Sequence, residues 1–167
     1  MAEMHVGRKI IAVSNGTERA TYFLRKILGN SGRGDFTITS AQRAVERGET
    51  ASVLLADGSL VFPVPALFSV CVTKFEPDRP KPPGFQNVVT YSVKWDCADF
   101  TARNIRAFPD GATAFEIVGV GIIGRVRLER GQEEDDVEAA LAAAAAAMAA
   151  GIPLAEVLDA LNRPGVE

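Results

Sequence analysis

The stretch that decides the fold runs Ile10-Ile11-Ala12-Val13-Ser14-Asn15-Gly16-Thr17-Glu18. Its apolar start predicts a short strand over residues 10–13, and its polar second half predicts a turn over residues 14–18. A helix over residues 17–28 is predicted next, because apolar residues recur there at the spacing of one buried helical face. These residues are Ala20, Phe23, Leu24, Ile27 and Leu28. A strand, a glycine-containing turn and a helix in this order present backbone N–H groups to an anion such as a phosphate.

The side chains that complete a nucleotide site are missing from this turn. A nucleotide-binding loop places a lysine on the β- and γ-phosphates and a serine or threonine hydroxyl on Mg²⁺, whereas the corresponding positions hold Thr17 and Glu18. A carboxylate near the phosphates costs on the order of a few kcal/mol in a partly desolvated site. We therefore interpret the turn as a degenerate phosphate loop, made of Ser14, Asn15, Gly16, Thr17 and Glu18.

Two roles are open to Glu18 in this interpretation. Asn15 and Glu18 have the spacing of a capping box, so we expect the carboxylate of Glu18 to cap the helix. The alternative is that Glu18 binds Mg²⁺ directly, as carboxylates can. The N–H groups of the helix start also leave open the binding of a small anion at the 14–18 turn, with help from Arg19 and Lys74. We interpret those two cations primarily as solvated surface charges.

Composition and charge exclude several classes of function. The chain has 167 residues, of which 47% are hydrophobic and 23% charged, and this suits a single domain spanning residues 1–167. A net charge of −3 provides no basic field for nucleic acid or an anionic membrane. The longest apolar stretch, Ala139 to Ala150, is too short to span a bilayer. Because no leader pattern is present either, we expect a cytoplasmic protein.

The sequence predicts no catalytic residue and no metal site. His5 is the one histidine, and Cys71 and Cys97 are too few for a disulfide framework. No general base accompanies a nucleophile in the pattern. The remaining carboxylate candidates are the run Glu133 to Asp136, interpreted as a solvated helix start rather than a cation site, and Asp57, Asp78 and Asp96.

Three consecutive parts are predicted along the chain. Residues 10–93 contain continuous apolar runs at 51–56, 68–73 and 87–93, which are typical of parallel strands covered on both faces, and a short helix at 40–47. Residues 98–128 alternate polar and apolar side chains around the turn Phe108-Pro109-Asp110-Gly111, which predicts an antiparallel meander. Residues 134–161 predict an alanine-rich helix followed, after Gly151 and Pro153, by a second helix. The predicted fold class is α/β, with a mostly parallel sheet flanked by helices and extended by the meander.

Four stretches resemble, in the same order, the central ATP-binding domain of the Mur ligase family, which includes the folate polyglutamate synthases. They are Ile11 to Gly16 with Tyr22 to Arg25; Phe68 to Arg79; Tyr91-Ser92 with Ala98 to Ile105, Pro109 to Gly111 and Phe115 to Val118; and Val137 to Ala143 with Gly151 to Pro153. The resemblance implies a P-loop-like fold and, if the family activity is retained, binding of ATP and magnesium.

The departures from the family pattern all remove groups that bind nucleotide or metal. In the family loop Gly-Thr-Asn-Gly-Lys-Thr the leading Gly-Thr is shortened to Ser14, the lysine is replaced by Thr17 and the magnesium-binding threonine by Glu18. The other replacements are Leu54, Leu55 and Ala56 where a metal-binding glutamate is expected; Thr73-Lys74 and Asp78-Arg79 for Thr-Asn and Asp-His; Asp135-Asp136 for His-Asn; and Ala139 for the next asparagine. The segment with the family's carbamylated lysine is absent at the proline-rich loop 76–84, and the two outer domains of the family are absent.

These observations favour a non-catalytic binding, scaffold or regulatory module without a cofactor. Its partner would be another protein or a second copy, since loss of the segment near the proline-rich loop uncovers apolar surface. A regulator of cell-wall synthesis that mimics a ligase domain is one form of this hypothesis. The alternative is one component of an ATP-dependent amide-bond ligase of the Mur type, working with separate domains or chains.

Overall fold

The computed structural model describes residues 9–56, 67–82, 84–85, 87–129 and 134–163. In chain order, their strands and helices are β1 (Lys9–Val13), α1 (Glu18–Asn30), β2 (Phe36–Ser40), α2 (Ala41–Arg47), β3 (Ala51–Leu55), β4 (Phe68–Lys74), β5 (Asn87–Ser92), β6 (Phe100–Ala107), β7 (Thr113–Gly119), β8 (Ile122–Leu128), α3 (Glu134–Ala149) and α4 (Leu154–Asn162). None of the helices in these ranges has both the length and the apolar character needed to cross a bilayer.

All the strands lie in one sheet with the order β2-β1-β3-β4-β5-β6-β7-β8. Neighbours from β2 to β6 are parallel, and β6, β7 and β8 are antiparallel to one another. The predicted α/β class with an antiparallel extension is confirmed. The sequence reasoning missed β2, because Phe36 is its one buried residue and the strand carries no apolar run.

Helices cover the two faces of the sheet unequally. α1, α3 and α4 pack together on one face, where α3 crosses β3 to β7, while the short α2 lies against β1 and β2 on the other. The predicted alanine-rich helix is present as α3 and is packed on all sides, since Ala139 to Ala147 are all buried. A helix that is apolar on every side belongs in an interior. Its small side chains allow the sheet, α1 and α4 to approach the helix axis together.

Polar bonds fasten α1 to the end of α4. Lys26 donates through Nζ to a carbonyl in the last turn of α4 at 3.0 Å, and Asn30 donates through Nδ2 to the carbonyl of Ala160 at 2.8 Å. Beyond the end of α1, Arg33 Nη2 donates to Glu156 Oε1 at 2.7 Å, and this guanidinium lowers the pKa of Glu156. Partial burial lowers the pKa of Lys26. The beginning and the end of the described chain are therefore joined by directional contacts as well as apolar packing.

A β-bulge interrupts the first hairpin of the meander. Arg103 lies opposite Glu116 and Arg106 lies opposite Ala114, so β6 contains one residue more than β7 between these two pairs. Asn104 takes the left-handed backbone conformation there, with φ of 53°. The regular alternation predicted for this segment is therefore broken. As strand residues alternate faces, the extra residue brings Arg103 and Arg106 to the same face of the sheet.

Candidate functional site

The predicted phosphate turn lies at the carboxyl edge of the parallel strands, at a topological switch point. The chain leaves β1 for β2 on one side and then returns to β3 on the other, which opens a crevice between the ends of β1 and β3. Open α/β sheets bind ligands at such crevices. In this chain the backbone N–H of Ser14 donates to the carbonyl of Leu55 at 3.0 Å, so the two strands remain joined one residue past the end of β1.

Inside the turn, the side chains satisfy the backbone locally. The buried hydroxyl of Thr17 donates to the carbonyl of Ser14 at 2.6 Å, and Ser14 Oγ donates to the carbonyl of Asn15 at 3.3 Å. Gly16 takes a left-handed φ of 91°, which a side chain would strain. The predicted capping box is wrong in its first member, because Thr17 rather than Asn15 is the N-cap of α1 and it makes no side-chain cap bond.

Glu18 occupies the position at which this turn would meet an anion. Its Oε2 accepts a hydrogen bond from the backbone N–H of Gly16 at 3.0 Å. A carboxylate in the first turn of a helix also complements the helix dipole. The expected capping role of Glu18 agrees with this bond, although the amide it caps belongs to Gly16. With Thr17 in place of a lysine, the turn does not fit the phosphates of ATP or their magnesium ion.

Arg19 and Asp136 form an ion pair that the sequence reasoning did not find. Arg19 Nε donates to Asp136 Oδ1 at 2.6 Å, and Asp136 is only 7% exposed. This hydrogen bond raises the pKa of Arg19, whose guanidinium also lies 4.7 Å from the ring centre of Tyr22. The interpretation of Asp136 as part of a solvated helix start is therefore wrong, whereas Arg19 is exposed as expected and is ion-paired rather than simply solvated. The pair forms because α1 and α3 begin side by side, and no local sequence pattern indicates this packing of the two helices.

Lys74, at the end of β4, is likewise engaged by acidic side chains. Its Nζ lies 3.3 Å from Glu138 Oε2 on α3 and 3.8 Å from Glu76 Oε1. The interpretation of Lys74 as a simply solvated charge is corrected in the same way. Next to it, the buried hydroxyl of Thr73 has no hydrogen-bond partner among the described residues and borders a cavity of about 30 Å³, which is the size of a water site.

The remaining predicted site residues do not converge in the part of the chain that the structure describes. Asp78 and Asp96 are exposed, and no group of histidine, cysteine, aspartate and glutamate suited to a metal occurs among the described residues. His5, Asp57 and Glu133 lie outside the described residues. The strand end where a metal-binding glutamate is expected carries the buried apolar residues Leu54, Leu55 and Ala56.

The two cysteines lie in different environments. Cys71 is buried in β4, and this burial raises the pKa of its thiol to about 12. Cys97 is exposed in the connection between β5 and β6. A buried thiol with a raised pKa is chemically unreactive, and this applies to Cys71.

A second concave surface, which the sequence reasoning missed, lies on the outer face of the meander. This meander groove has a volume of about 440 Å³ and is lined mainly by polar side chains. Its charged and aromatic lining consists of Arg106, Phe108, Glu116, Arg125 and Arg127, with Asn104 and Asn162 beside them. The arginines at alternate positions of β8 were the signal that could have found it.

Solved Mur ligase structures share this fold. MurF from Acinetobacter baumannii matches with a TM-score of 0.69 and 14% identity, over 98% of this chain and 47% of that one. MurF from Thermotoga maritima in complex with ADP matches with a TM-score of 0.67 and 12% identity, over 94% of this chain and 50% of that one. A pseudomurein peptide ligase type C from Methanothermus fervidus matches with a TM-score of 0.63 and 15% identity, over 93% of this chain and 49% of that one. No protein-family model and no curated protein matches the chain.

These likenesses establish a Mur-ligase-like fold, as the resemblance in the sequence implied. The chain spans about half the length of the structures it matches. At identities of 12–15%, the likeness concerns the backbone architecture and leaves the chemistry to be argued from the residues of this chain.

Proposed function

We propose that this chain is a non-catalytic, Mur-ligase-like domain that acts as a binding, scaffold or regulatory module. The observation that carries the proposal is the hydrogen bond from the Gly16 N–H to the Glu18 carboxylate. In this turn the protein's own carboxylate takes up an amide that a phosphate loop would offer to its ligand. A phosphate entering the turn would have to displace that carboxylate and would then lie beside its negative charge.

The cations around the turn support the same proposal. Arg19 is bound to Asp136, and Lys74 lies between Glu76 and Glu138. Three acids thus neutralise the two cations that were expected to assist an anion at this turn. A loss of about 3 kcal/mol in attraction weakens binding by a factor of about 150, enough to turn a micromolar ligand into a very weak one. The proposed site is therefore a degenerate loop at residues 14–18 that uses neither ATP nor magnesium.

Binding of a protein partner or of a second copy is the function that the rest of the surface supports. Exposed large apolar side chains concentrate on the meander, where Ile105, Phe108, Val120 and Ile123 are all accessible. Apolar side chains clustered on one part of a surface are typical of interaction sites. Binding of a small anion at the 14–18 turn is an additional proposal. We also propose a cytoplasmic location for the protein.

Calorimetric titration with ATP and Mg²⁺ tests the degenerate loop. The variant Thr17→Lys, Glu18→Ala restores the missing cation and removes the carboxylate, and we expect it to bind where the parent gives no heat. The control Gln42→Lys, Glu46→Ala makes the same charge change on the exposed surface of α2, where Gln42 Nε2 donates to Glu46 Oε2 at 3.2 Å. Micromolar binding by the parent, or equal binding gained by the control, would contradict the proposal.

A component of a split ligase is the second candidate, favoured by the length of the match. The chain covers only about half of each neighbouring structure, so other parts of such an enzyme would have to come from elsewhere. This candidate predicts that the parent chain binds ATP and forms ADP only when a co-purifying second chain is added. ADP formation that depends on Glu18, tested with Glu18→Ala, would favour the split enzyme over the binding module.

A further inference from the structure

We propose that the meander groove binds an acidic segment of a partner protein. The groove lies on β6, β7 and β8, whereas the 14–18 turn follows β1 at the far side of the sheet. Five strand spacings separate β1 from β7, or about 24 Å. This inference rests on the proposed binding function and names the class of partner that the protein would bind. Because the two proposals rest on different residues, either can fail while the other stands.

The groove is cationic although the chain as a whole is acidic. Three arginines and one glutamate line it, in a protein with a net charge of −3. Glu116 is held by Asn104 Nδ2 at 2.6 Å and lies 3.8 Å from Arg125, so it neutralises only part of the charge. Arg106 has no ion pair among the described residues. A ligand with several carboxylates therefore finds one guanidinium unpaired within the described chain, that of Arg106, beside Arg125 and Arg127, whose acidic partners at 3.8 and 2.9 Å are partly exposed to solvent.

The backbone distortion at Asn104 serves this arrangement. Without the bulge, Arg103 and Arg106 would lie on opposite faces of β6, because their positions differ by an odd number of residues. The bulge resets the alternation, so that Arg106 lies opposite Ala114 on the face that carries Arg125 and Arg127. A left-handed asparagine costs conformational energy, and such strain is concentrated at functional positions.

The groove also offers rigid contact surface beside its charges. The guanidinium of Arg127 lies 4.6 Å from the ring centre of Phe108 and donates through Nη2 to Asp110 Oδ2 at 2.9 Å. Ile123, 63% exposed, lies on the same face of β8 as Arg125 and Arg127. Arginine and aromatic side chains are the residues enriched at the centres of protein interfaces. A partner segment that mixes acidic and apolar residues matches this surface.

Two other occupants fit the groove less well. A second copy placed over the groove by its own meander would present a surface on which arginines again outnumber acids, and like charges oppose such contact. A partner strand cannot extend the sheet at this point, because Asn162 already bonds to the edge of β8. Its Oδ1 accepts the Arg127 N–H at 2.7 Å, and its Nδ2 donates to the Arg125 carbonyl at 3.0 Å. The partner must therefore bind through side chains.

Fluorescence anisotropy tests the proposal with the full chain and a short labelled peptide of glutamates around two phenylalanines. We expect saturable binding that weakens at least about tenfold in Arg106→Glu, Arg125→Glu, and by less than about twofold in the control Arg43→Glu, Arg47→Glu on the exposed surface of α2. The milder variant Arg106→Gln, Arg125→Gln removes the two charges without reversing them and should weaken binding by an intermediate factor. It keeps the test valid if the charge reversal impairs folding.

Nuclear magnetic resonance locates the bound peptide. Amide shifts on titration should concentrate at residues 104–108 and 125–127. Absence of saturable binding by the parent, an equal loss in the α2 control, or shifts centred elsewhere would overturn the proposal. So would a single-stranded oligonucleotide of equal charge that binds as tightly and responds to the same variants, because the groove would then select charge alone.

Discussion

The carboxyl edge around the 14–18 turn and the outer face of the meander use charge in opposite ways. At the turn, each cation is engaged by a carboxylate from elsewhere in the chain, and the turn's own amide is engaged by Glu18. On the meander, arginines outnumber acids and Arg106 is left without an ion pair in the described part of the protein. The difference teaches that one chain can satisfy cations and a backbone amide with its own carboxylates at one edge of the sheet, while on another surface it leaves an arginine unpaired among the residues that the structure describes.

Cysteine reactivity gives the largest expected difference between the two regions. With a pKa of about 12, Cys71 of the parallel half is thiolate at pH 8 in only about one molecule in ten thousand, and it is buried as well. The exposed Cys97, which precedes the meander, should therefore react at least about a thousandfold faster with a chromogenic thiol reagent. Stopped-flow absorbance in native buffer and in denaturant measures both thiols. Equal fast rates in native buffer would mean that the parallel half opens readily.

Overpacking of α3 tests whether the parallel half depends on its alanines. Ala144 is 1% exposed, and Ala144→Leu inserts a branched side chain where no space remains. We expect a loss of about 2–3 kcal/mol in the free energy of unfolding, measured by urea denaturation. Ala155→Leu makes the same change at an exposed position of α4 and should stay within about 0.5 kcal/mol. Similar losses in both variants would show that α3 is not specifically packed.

Two ion pairs compare the regions directly. Arg19→Met removes the partner of Asp136, whose side chain is 10% exposed, and Arg103→Met removes a partner 3.9 Å from Asp96, whose side chain is 80% exposed. We expect the first variant to lose about 1 kcal/mol of stability, after allowance for the solvent around Arg19, and the second to lose less than about 0.3 kcal/mol. Urea denaturation at low and high salt measures both. If Arg103→Met cost as much as Arg19→Met, the contrast in internal pairing would disappear.

The smallest effect concerns pH. Arg33 lowers the pKa of Glu156 below its ordinary 4.5, so the ion pair adds stability above that pH and loses it as the pH falls through the lowered pKa. Glu156→Gln should therefore lower the melting temperature near neutral pH, and its difference from the parent should shrink toward pH 3. Asp159→Asn on the same helix is the control. A difference between parent and Glu156→Gln that stays constant with pH would rule out this contribution.

Periodic and punctuated segments were predictable from the sequence. The buried face of α1, the strands with continuous apolar runs, the turn at Gly111 and the helix break at Gly151 all follow from local rules. For the site, the sequence supplied the location of the turn and the capping carboxylate at Glu18, because those depend on neighbouring residues.

Features that need tertiary contact were not predictable. Arg19 and Asp136 are 117 residues apart, and only the packing of α1 beside α3 brings them together. β2 is a strand because β1 pairs with it, and its own pattern is too polar to indicate that. The bulge at Asn104 changes which face Arg106 occupies, so a regular alternation gives the wrong assignment for the meander groove.

The polar bonds between α1 and α4 have a consequence for synthesis on the ribosome. Arg33 and Glu156 are 123 residues apart, and Asn30 and Ala160 are 130 apart. At about 5–20 residues per second, the ribosome needs on the order of ten seconds to make the chain between them. During that time α1 lacks the contacts that complete its packing, and its apolar face is open to chaperones. The order of translation thus makes one of the first helices to emerge one of the last to be secured.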